Sequence, residues 1–425
     1  MHPKEGWQDG RPPIPGVSRR AFLRRAGVGA GAVLGAGGLG SALSACSGAL
    51  LADTQKPLPL PRPNRPVRWP IYADNKAIKS GLLPERNATL KVYNWVAYVN
   101  PKLLKDFGKK YNCQVEVTTF NTMTEALAKL SSGNLNFDVF MGVTNDVIGK
   151  CVAQKLIQPL NHSYIPNIRQ TWREYTNPFY DQGWQYTVPY TIYTTGISWR
   201  KDHISDDPAN WPNGYAFPWQ SKYAGKVAIL DDYRESPSLA LLKHGIQDLN
   251  TTDPAQITLA RDSLLELAKM TNVHIDNNDY TNVPSGQIWI HHSWSGDMAA
   301  SYYYLPKGVP SDVIGYWFPA DGKGPTANDT VTVLNGAQNP VLAHLLLNYL
   351  LDLPNSLTNI SFNGYMQPVY GVTPERLIHD GILPKALEST VVLEKNLKHG
   401  LWELQLPVQT DLAWQQAWQV VSLGI

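Results

Sequence analysis

The sequence predicts an α/β protein with two lobes, and two observations lead to that prediction. Strands alternate with helices in two separate series, one starting near residue 89 and one following Tyr190. Alternation of this length is typical of parallel sheets with right-handed crossovers. In addition, removal of residues 1–45 as a signal leaves 380 residues, more than one hydrophobic core usually supports.

The first 46 residues predict export and lipid anchoring. A twin-arginine pattern, Ser18-Arg19-Arg20-Ala21-Phe22-Leu23, precedes an uncharged Gly/Ala/Leu/Val run that reaches Ala45. This run is too rich in glycine and ends too soon for a stable membrane span. It closes with Leu43-Ser44-Ala45-Cys46, which resembles a lipobox, where the cysteine becomes the lipid-bearing first residue after cleavage. We therefore predict a twin-arginine lipoprotein signal over residues 1–45 and lipidation at Cys46.

The signal also accounts for the apparent basicity of the chain. Residues 1–45 contain six Lys or Arg and two Asp or Glu residues, so removing them leaves 31 basic and 33 acidic residues, a net charge of −2. This balance removes the electrostatic support for a nucleic-acid partner. Since no later stretch reaches membrane-spanning length, we expect a soluble body held at the outer face of the cytoplasmic membrane by one end.

Residues 46–88 are expected to form a tether between the lipid and the body. Proline recurs at nearly every second position from Pro57 to Pro66, which predicts an extended, polyproline-like spacer. Order is expected to begin near Thr89.

The first series of elements starts with a strand over residues 90–95. Asn100-Pro101 then suits a helix cap and first turn, and a second strand spans residues 114–120. Thr122 and Glu125 form a capping box for the next helix, which Gly133 ends. A third strand over 137–141 and a helix through Ile148 and Val152 complete the series.

The second series contains a strand over residues 227–230, helices at about 237–247 and 254–270, and a strand over 287–294. An apolar helix over 340–352 and a Trp-rich helical tail with Trp402, Trp414 and Trp418 follow. The β-rich segment 189–195 is the expected first crossing between lobes. We predict lobe 1 over 89–192 plus about 319–355, and lobe 2 over about 193–318 plus 356–425.

The predicted strand ends offer acids and aromatic rings. Ligands of open parallel sheets bind beyond the carboxyl ends of strands, and a ring beside a carboxylate suits an organic cation. Each residue also has a structural interpretation, as a core aromatic, a helix cap or a turn residue. Because these residues are expected to meet at one cleft, we nevertheless favour ligand binding. The candidate residues follow five predicted segments: Trp95 and Tyr98; Val143 and Thr144; Asp231, Asp232, Tyr233, Arg234 and Glu235; Trp294 and Asp297; Asn328 and Asp329.

Signals for catalysis or metal binding are weak. The chain has no GxSxG, HExxH or phosphate-loop motif. His291 and His292 are adjacent on a strand and point to opposite faces, so they cannot both hold one ion. The acids at 231, 232 and 235 lack a further oxygen-rich loop for calcium. We predict no enzyme, cofactor or metal. Cys113 and Cys151 could form a disulfide after export or could be two buried apolar side chains.

Four segments in order resemble the spermidine/putrescine-binding proteins of bacterial ABC importers. They are Tyr93-Asn94-Trp95-x-x-Tyr98, Asp232-x-x-Glu235, Trp294-Ser295-Gly296-Asp297 and Gly364-Tyr365-Met366-Gln367-Pro368. The resemblance covers roughly residues 89–425. It implies a two-lobed periplasmic-binding-protein fold, each lobe a mostly parallel sheet flanked by helices, that closes on a polyamine at the hinge. It also implies membrane permease and ATPase subunits as partners, and a monomer.

The resemblance assigns roles by position. Trp95, Tyr98 and Trp294 would flank the methylene chain, and Asp232, Glu235 and Asp297 would pair with ammonium groups. Asp329 and Thr144 would line the cleft, Gln367 would supply a polar contact, and Asp276 or Asp279 lies near another ligand-facing segment.

The chain departs from the family pattern at one end of this cleft. Val96 and Ala97 stand where a hydroxyl or acid is frequent, and the loop after the third strand contains Val143 and Thr144 where Ser/Thr and Tyr are frequent. This end is therefore expected to be less polar. Alternatives are the same fold with another small amine, such as agmatine, an amino-acid derivative or a small sugar; an exported hydrolase; and a purely structural surface lipoprotein.

Overall fold

The computed structural model describes residues 59–133 and 136–424, which belong to one compact unit, Pro57–Ile425. The predicted signal, Cys46 and the start of the predicted tether lie outside the described residues. Within the described part, no helix combines the length and apolar character needed to cross a membrane.

In residues 59–133 and 136–424, ten strands form two sheets that share one strand. In chain order, β1 to β10 span Thr89–Trp95, Gln114–Phe120, Val139–Thr144, Thr187–Arg200, Val227–Ile229, His274–Ile275, Ile290–Trp294, Ile314–Trp317, Pro325–Val333 and Leu401–Trp402. The first sheet has the order β2-β1-β3-β9-β4, with β10 paired to β9, and the second has the order β4-β7-β5-β6, with β8 paired to β4. β1 pairs in parallel with β2 and β3, and β5 pairs in parallel with β6 and β7. In contrast, β3 pairs antiparallel with β9, and β4 pairs antiparallel with β7, β8 and β9.

Strand β4 is the element that joins the two sheets. It pairs with β9 from Thr187 to Thr194 and with β7 from Thr195 to Trp199. All of its 14 residues are buried. The segment 189–195 therefore connects the sheets as its β-rich composition predicted. The full lobe limits given above remain a prediction.

Helices cover the sheets. In chain order, α1 to α12 span Pro101–Tyr111, Met123–Ser131, Ile148–Ala153, Glu235–Lys243, Pro254–Thr271, Asp279–Asn282, Ser295–Ala300, Pro340–Leu350, Leu353–Asn363, Pro374–His379, Glu394–His399 and Val408–Gly424. Asn100 caps α1 by accepting from the Lys102 N–H group, as predicted. Thr122 caps α2, but the Glu125 carboxylate accepts from the Asn121 N–H group at 3.0 Å, one residue before the capping-box position.

Separate clusters of apolar side chains lie behind the two sheets. One cluster packs Phe120 and Phe140 against α3, and another packs Ile197, Leu264 and Trp414 around β5, α5 and α12. A third cluster runs along the shared strands and includes α8 and α9. Each sheet thus packs on its own apolar cluster, which fits the prediction that 380 residues need more than one hydrophobic core.

The predicted tether packs on the body over much of its length. Val67 and Trp69 are 3% and 2% exposed, and the backbone of Val67 exchanges hydrogen bonds with Phe179 and Gln182 at 2.9 and 2.8 Å. The Trp69 indole donates to the Tyr180 carbonyl oxygen at 2.8 Å. Order therefore begins well before Thr89, because an apolar Val-x-Trp pair inside the Pro-rich segment is buried in the core behind β3.

Three smaller expectations also change. The third strand begins two residues later than predicted and extends to Thr144. Trp402 lies in the short strand β10, outside the tail helix that holds Trp414 and Trp418. Among the described residues, Cys113 and Cys151 are free thiols, so of the two interpretations the disulfide is wrong.

Candidate functional site

Trp95 and Tyr98, at the end of β1, lie over Gly142 of β3. The Trp95 indole N–H donates to the Gly142 carbonyl oxygen at 2.9 Å, and its ring packs on Phe120 with 4.7 Å between centroids. Gly142 has φ +71°, and a Cβ there would lie 2.2 Å from the Trp95 ring and 3.1 Å from the Tyr98 ring. Glycine thus provides both the backbone conformation and the space that these rings occupy.

Asp329, on β9, lies behind the Tyr98 ring. Its Oδ2 accepts the Tyr98 hydroxyl at 2.7 Å and its Oδ1 accepts the Tyr193 hydroxyl at 3.4 Å. The Tyr98 hydroxyl also hydrogen-bonds Thr191. Burial raises the pKa of Asp329 to about 7, against the lowering effect of the two phenol donors. We call Trp95, Tyr98, Gly142 and Asp329 the first wall.

Glu235 and Trp294 meet at the ends of β5 and β7. The Glu235 Oε1 accepts the Trp294 indole N–H at 2.9 Å and the Thr195 hydroxyl at 3.0 Å. Its Oε2 is buried and has no hydrogen-bond partner among the described residues. Burial, followed by repulsion from Asp232, raises the pKa of Glu235 to about 8.

Asp232 lies one turn before Glu235 and has a structural role as well. Its Oδ1 accepts the backbone N–H groups of Arg234 and Glu235 at 2.7 and 3.0 Å. Arg234 is the N-cap residue and Glu235 the first residue of α4, so Asp232 accepts N–H groups at the helix start, close to the structural alternative that the sequence offered. These hydrogen bonds also hold Asp232 beside Glu235, and burial raises the pKa of Asp232.

Arg234 is a buried cation beside these acids, but it donates mainly to other groups. Its guanidinium donates to the carbonyl oxygens of Leu249 and Leu404 and to Asn250, and it lies 5.1 Å from the centroid of the Trp414 ring. The closest ion-pair contact is 3.8 Å, to Asp146. The Glu235 carboxylate therefore retains acceptor capacity for a ligand.

Asp297 follows Trp294 on α7 and lies beside two further groups. The Asp279 carboxyl and the Tyr365 hydroxyl lie beside it and act to lower its pKa, but burial outweighs them and raises the pKa to about 6. A Cβ at Gly296 would lie 2.3 Å from the Tyr365 ring, so this glycine allows the ring to approach. We call Asp232, Glu235, Trp294 and Asp297 the second wall.

Tyrosine rings connect the two walls. The Tyr365 ring centroid lies 5.1 Å from that of Tyr98 and 5.7 Å from that of Tyr193, both in edge-to-face geometry. Tyr193 in turn lies 6.5 Å from Trp294. A carboxyl group therefore lies at each end of a row of rings, Asp329 at one end and Asp297 at the other, an arrangement suited to a cation with an apolar body.

The remaining predicted residues lie around this arrangement. Thr144 pairs with Asp329 in the sheet, and its hydroxyl donates to Asp146 at 2.6 Å. Gln367 is 1% exposed, and neither of its polar atoms has a hydrogen-bond partner among the described residues. Of the pair Asp276 and Asp279, the structure brings Asp279 to Asp297. Within the described residues, no group of three or more His, Cys, Asp or Glu side chains could hold a metal ion.

Comparison with known proteins agrees with this geometry. The family model described as bacterial extracellular solute-binding protein matches residues 102–380. This chain belongs to the bacterial extracellular solute-binding proteins. It is 29% identical over 344 residues to the spermidine/putrescine-binding periplasmic protein of Escherichia coli, covering 80% of this chain and 92% of that relative.

Solved structures of low identity show the same fold. A putative spermidine/putrescine ABC transporter protein from Listeria monocytogenes has a TM-score of 0.68 at 22% identity, covering 79% of this chain and 99% of that chain. The TpPotD lipoprotein of Treponema pallidum has a TM-score of 0.65 at 21% identity, covering 78% and 99%. The predicted two-lobed periplasmic-binding-protein fold is therefore confirmed, and membership of this extracellular family makes the chain an exported protein.

The solute-binding protein contains site residues that the sequence did not identify. The sequence predicts Tyr193 only as part of the segment that crosses between the lobes, and Tyr365 only as part of a segment that resembles the family. Glu403, beside Glu235 and Arg234, lies in the tail that we predicted as helical; its Oε1 accepts the Ser238 hydroxyl at 3.2 Å. The alternation of β4 could have indicated Tyr193, whereas nothing local marks Glu403.

The less polar end of the site has a partly different origin from the one predicted. Val96 is 49% exposed, and Ala97 has φ +55°, so both lie at the surface of the turn after β1. Val143, by contrast, is fully buried in the cluster behind the first sheet. Val143 therefore belongs to the core, and of the three apolar residues only Val96 and Ala97 are not buried.

Proposed function

We propose that this protein captures a polyamine of the putrescine/spermidine class and delivers it to the permease and ATPase subunits of an ABC importer. The observation that carries the proposal is a row of aromatic rings with a carboxyl group at each end, from Asp329 through Tyr193 and Tyr365 to Asp297. A polyamine has the matching arrangement, in which methylene segments separate ammonium groups. The relative from Escherichia coli, named for spermidine and putrescine, supports the choice of ligand.

The expected interaction energies are sufficient to bind such a ligand. Hydrogen bonds to charged groups contribute roughly 1.5–3 kcal/mol each, and cation–π contacts contribute about 0.5–2 kcal/mol. Two or three carboxylates and three rings can therefore exceed the roughly 8 kcal/mol of a micromolar complex, even after the cost of ordering the ligand. This role requires no bond-making step, and we propose no catalysis.

Calorimetric titration of the purified protein with putrescine, spermidine and spermine tests the proposal. We expect saturable heat with at least one of them at micromolar concentration. Sodium ions at equal ionic strength serve as a control for unspecific charge attraction. Heat with a neutral sugar and none with any amine would contradict the polyamine assignment.

One observation favours a short amine as a second candidate ligand. The exposed Val96 side chain lies after Trp95, where an acid would be needed to pair with a further ammonium group. A diamine or an amine with one apolar or neutral end fits this wall better than a long tetramine. Competition between putrescine, agmatine and spermine measures this preference directly, and equal affinities would remove Val96 as a selectivity determinant.

We further propose that the protein is exported by the twin-arginine route and anchored through Cys46, and that it acts as a monomer. The motif order in residues 18–46 supports the anchor, as does the fold similarity to a solved lipoprotein. Expression of the full chain and a Cys46→Ser variant, followed by membrane fractionation, tests it. The wild type is expected in the membrane fraction and the variant in the aqueous fraction; an aqueous wild type would exclude the anchor.

A further inference from the structure

Asp276 and Asp279, three residues apart, have opposite surroundings. The Asp276 carboxylate accepts the Asn278 N–H at 2.8 Å, and each of its oxygens accepts the Asn282 side-chain amide at 3.1 Å. His291 Nε2 lies 3.6 Å from its Oδ1. Burial acts to raise the pKa of Asp276, but the His291 and Asn donors outweigh it and lower the value. Asp276 is thus a carboxylate with its own set of donors.

Asp279 has none of these donors. It is completely buried at the start of α6, and no N–H or O–H group of the described residues donates to either oxygen. Its carboxyl instead contacts that of Asp297. Two carboxyl groups form a hydrogen bond to each other only when a proton lies between them, and an isolated buried carboxylate is strongly disfavoured.

The groups around Asp279 do not supply an alternative counter-charge. Its ionisable neighbours are Asp276, Tyr280, His291, Asp297, Tyr316 and Tyr365. Among these described neighbours only His291 can become a cation; its Nε2 lies 3.6 Å from Asp276 Oδ1, and its Nδ1 lies 2.6 Å from the His292 carbonyl oxygen. Its attraction favours the ionised form of Asp279, but burial outweighs it. Burial, with the repulsion of Asp297 next, raises the pKa of Asp279 well above its usual range.

We propose that Asp279 is a positioning residue of the binding site, a neutral carboxylic acid that donates its proton to Asp297. The pair then carries one negative charge, located on Asp297, and pairs with one ammonium group. In this arrangement the Asp279 proton, with the Tyr365 hydroxyl beside it, orients the Asp297 carboxylate. The ligand part of this inference rests on the proposed amine-binding function, whereas the protonation state of Asp279 does not.

Infrared difference spectroscopy tests the protonation state without any ligand. Because Glu235 also holds a proton near neutral pH, the wild-type spectrum is compared with that of Asp279→Asn at pH 7.5. We expect the variant to lose one protonated-carboxyl C=O band and no carboxylate band. Loss of a carboxylate band in its place would show that Asp279 is an anion and would overturn the proposal. Near-ultraviolet circular dichroism verifies that both proteins are folded.

Binding of putrescine to two variants of Asp279 tests the positioning role. Asp279→Asn keeps a neutral hydrogen-bond donor and is expected to bind within about twofold of the wild type, while Asp279→Leu removes the donor and is expected to bind about tenfold more weakly. Without the donor, the pH below which binding is lost should move upward from about 6, the pKa of Asp297. A purely structural role would leave that pH unchanged and would overturn the inference.

An Asp279→Asn loss as large as that of Asp297→Asn would likewise contradict a neutral Asp279. If the wild type and all variants fail to bind any amine, the proposed function fails, and the infrared result still decides the protonation state. If a variant does not fold, the wild-type binding-pH profile and the infrared comparison with the remaining variant decide the outcome.

Discussion

The two walls of the site contain the same kind of residue in different settings. Trp95 and Trp294 both end a strand and both donate the indole N–H at 2.9 Å, but Trp95 donates to the backbone oxygen of Gly142 and Trp294 donates to the Glu235 carboxylate. The first ring is oriented by a group that does not titrate. The second ring is oriented by a group whose pKa burial raises to about 8.

Because of this difference, we expect the two walls to recognise different parts of the ligand. The first wall has one acid, Asp329, which two phenols already engage, and its outer end carries the apolar Val96. The second wall has acids with remaining acceptor capacity, Glu235 above all. We therefore expect the first wall to govern the fit of the methylene chain and the second wall to govern recognition of ammonium groups and the response to pH.

Loss of an acid from the second wall should have the largest effect on binding. Asp297→Asn removes one charge-assisted hydrogen bond, and we expect polyamine affinity to fall by about tenfold to a hundredfold by calorimetry. Asp106→Asn, on the exposed face of α1 next to Lys102, is the matched control and should leave affinity unchanged. Unchanged affinity in Asp297→Asn would remove this residue from the site.

A change in pH should have the next largest effect. The pKa values of Glu235, Asp329 and Asp297 are raised to about 8, 7 and 6, so lowering the pH from 8 to 5 protonates groups that an ammonium ion needs as anions. We expect affinity to fall progressively, by more than tenfold in total. Affinity that is constant between pH 5 and 8 would show that these acids do not bind the ligand.

The same groups predict an opposite trend for the stability of the ligand-free protein. An acid whose pKa is raised by folding binds more protons in the folded state than in the unfolded state at intermediate pH, so stability falls as pH rises through that interval. The melting temperature should therefore decrease between about pH 5 and 8, as Glu235 and Asp329 ionise. Glu235→Gln should flatten this decrease, and an equally steep profile in the variant would contradict the assignment.

Displacement of the first-wall ring should have a smaller effect. Gly142→Ala places a Cβ 2.2 Å from the Trp95 ring at a backbone φ of +71°, so we expect the ring to move and affinity to fall several-fold. Gly133→Ala is the matched control, since Gly133 has φ +69° and no atom within 4 Å of the added Cβ. Equal effects of both variants on affinity would assign the loss to backbone strain and exclude a specific role of Trp95.

Removal of the Trp69 ring should leave binding unchanged and reduce stability. Trp69 is buried behind the first wall, against Gly149 and the Tyr180 backbone. Trp69→Ala is expected to lower the free energy of unfolding by about 3–5 kcal/mol, as for other large buried side chains. Denaturant unfolding measures this change. A large loss of affinity at a temperature where the variant is folded would show that the segment before Thr89 helps to shape the site.

The sequence by itself determined the series of strands and helices. Capping residues such as Asn100 and apolar spacings such as Leu103, Leu104 and Phe107 act within a few residues, so local pattern predicts them. It also placed Trp95, Tyr98, Glu235, Trp294 and Asp297 at strand ends, where parallel strands bring side chains to one edge. The resemblance to polyamine-binding proteins assigned roles to these residues, and those roles remain predictions; the family comparison supports the choice of family.

Only the tertiary structure decided which of these groups interact and in what charge state. Glu403 and Tyr365 reach the site from segments more than 60 residues beyond Trp294, and Val67 and Trp69 are hydrogen-bonded to residues more than 100 positions away. Asp276 and Asp279 look equivalent in the sequence, yet one has several N–H donors and the other has a second carboxyl group as its neighbour. Burial and hydrogen-bond partners depend on the packing of distant segments, and they set the pKa of each acid.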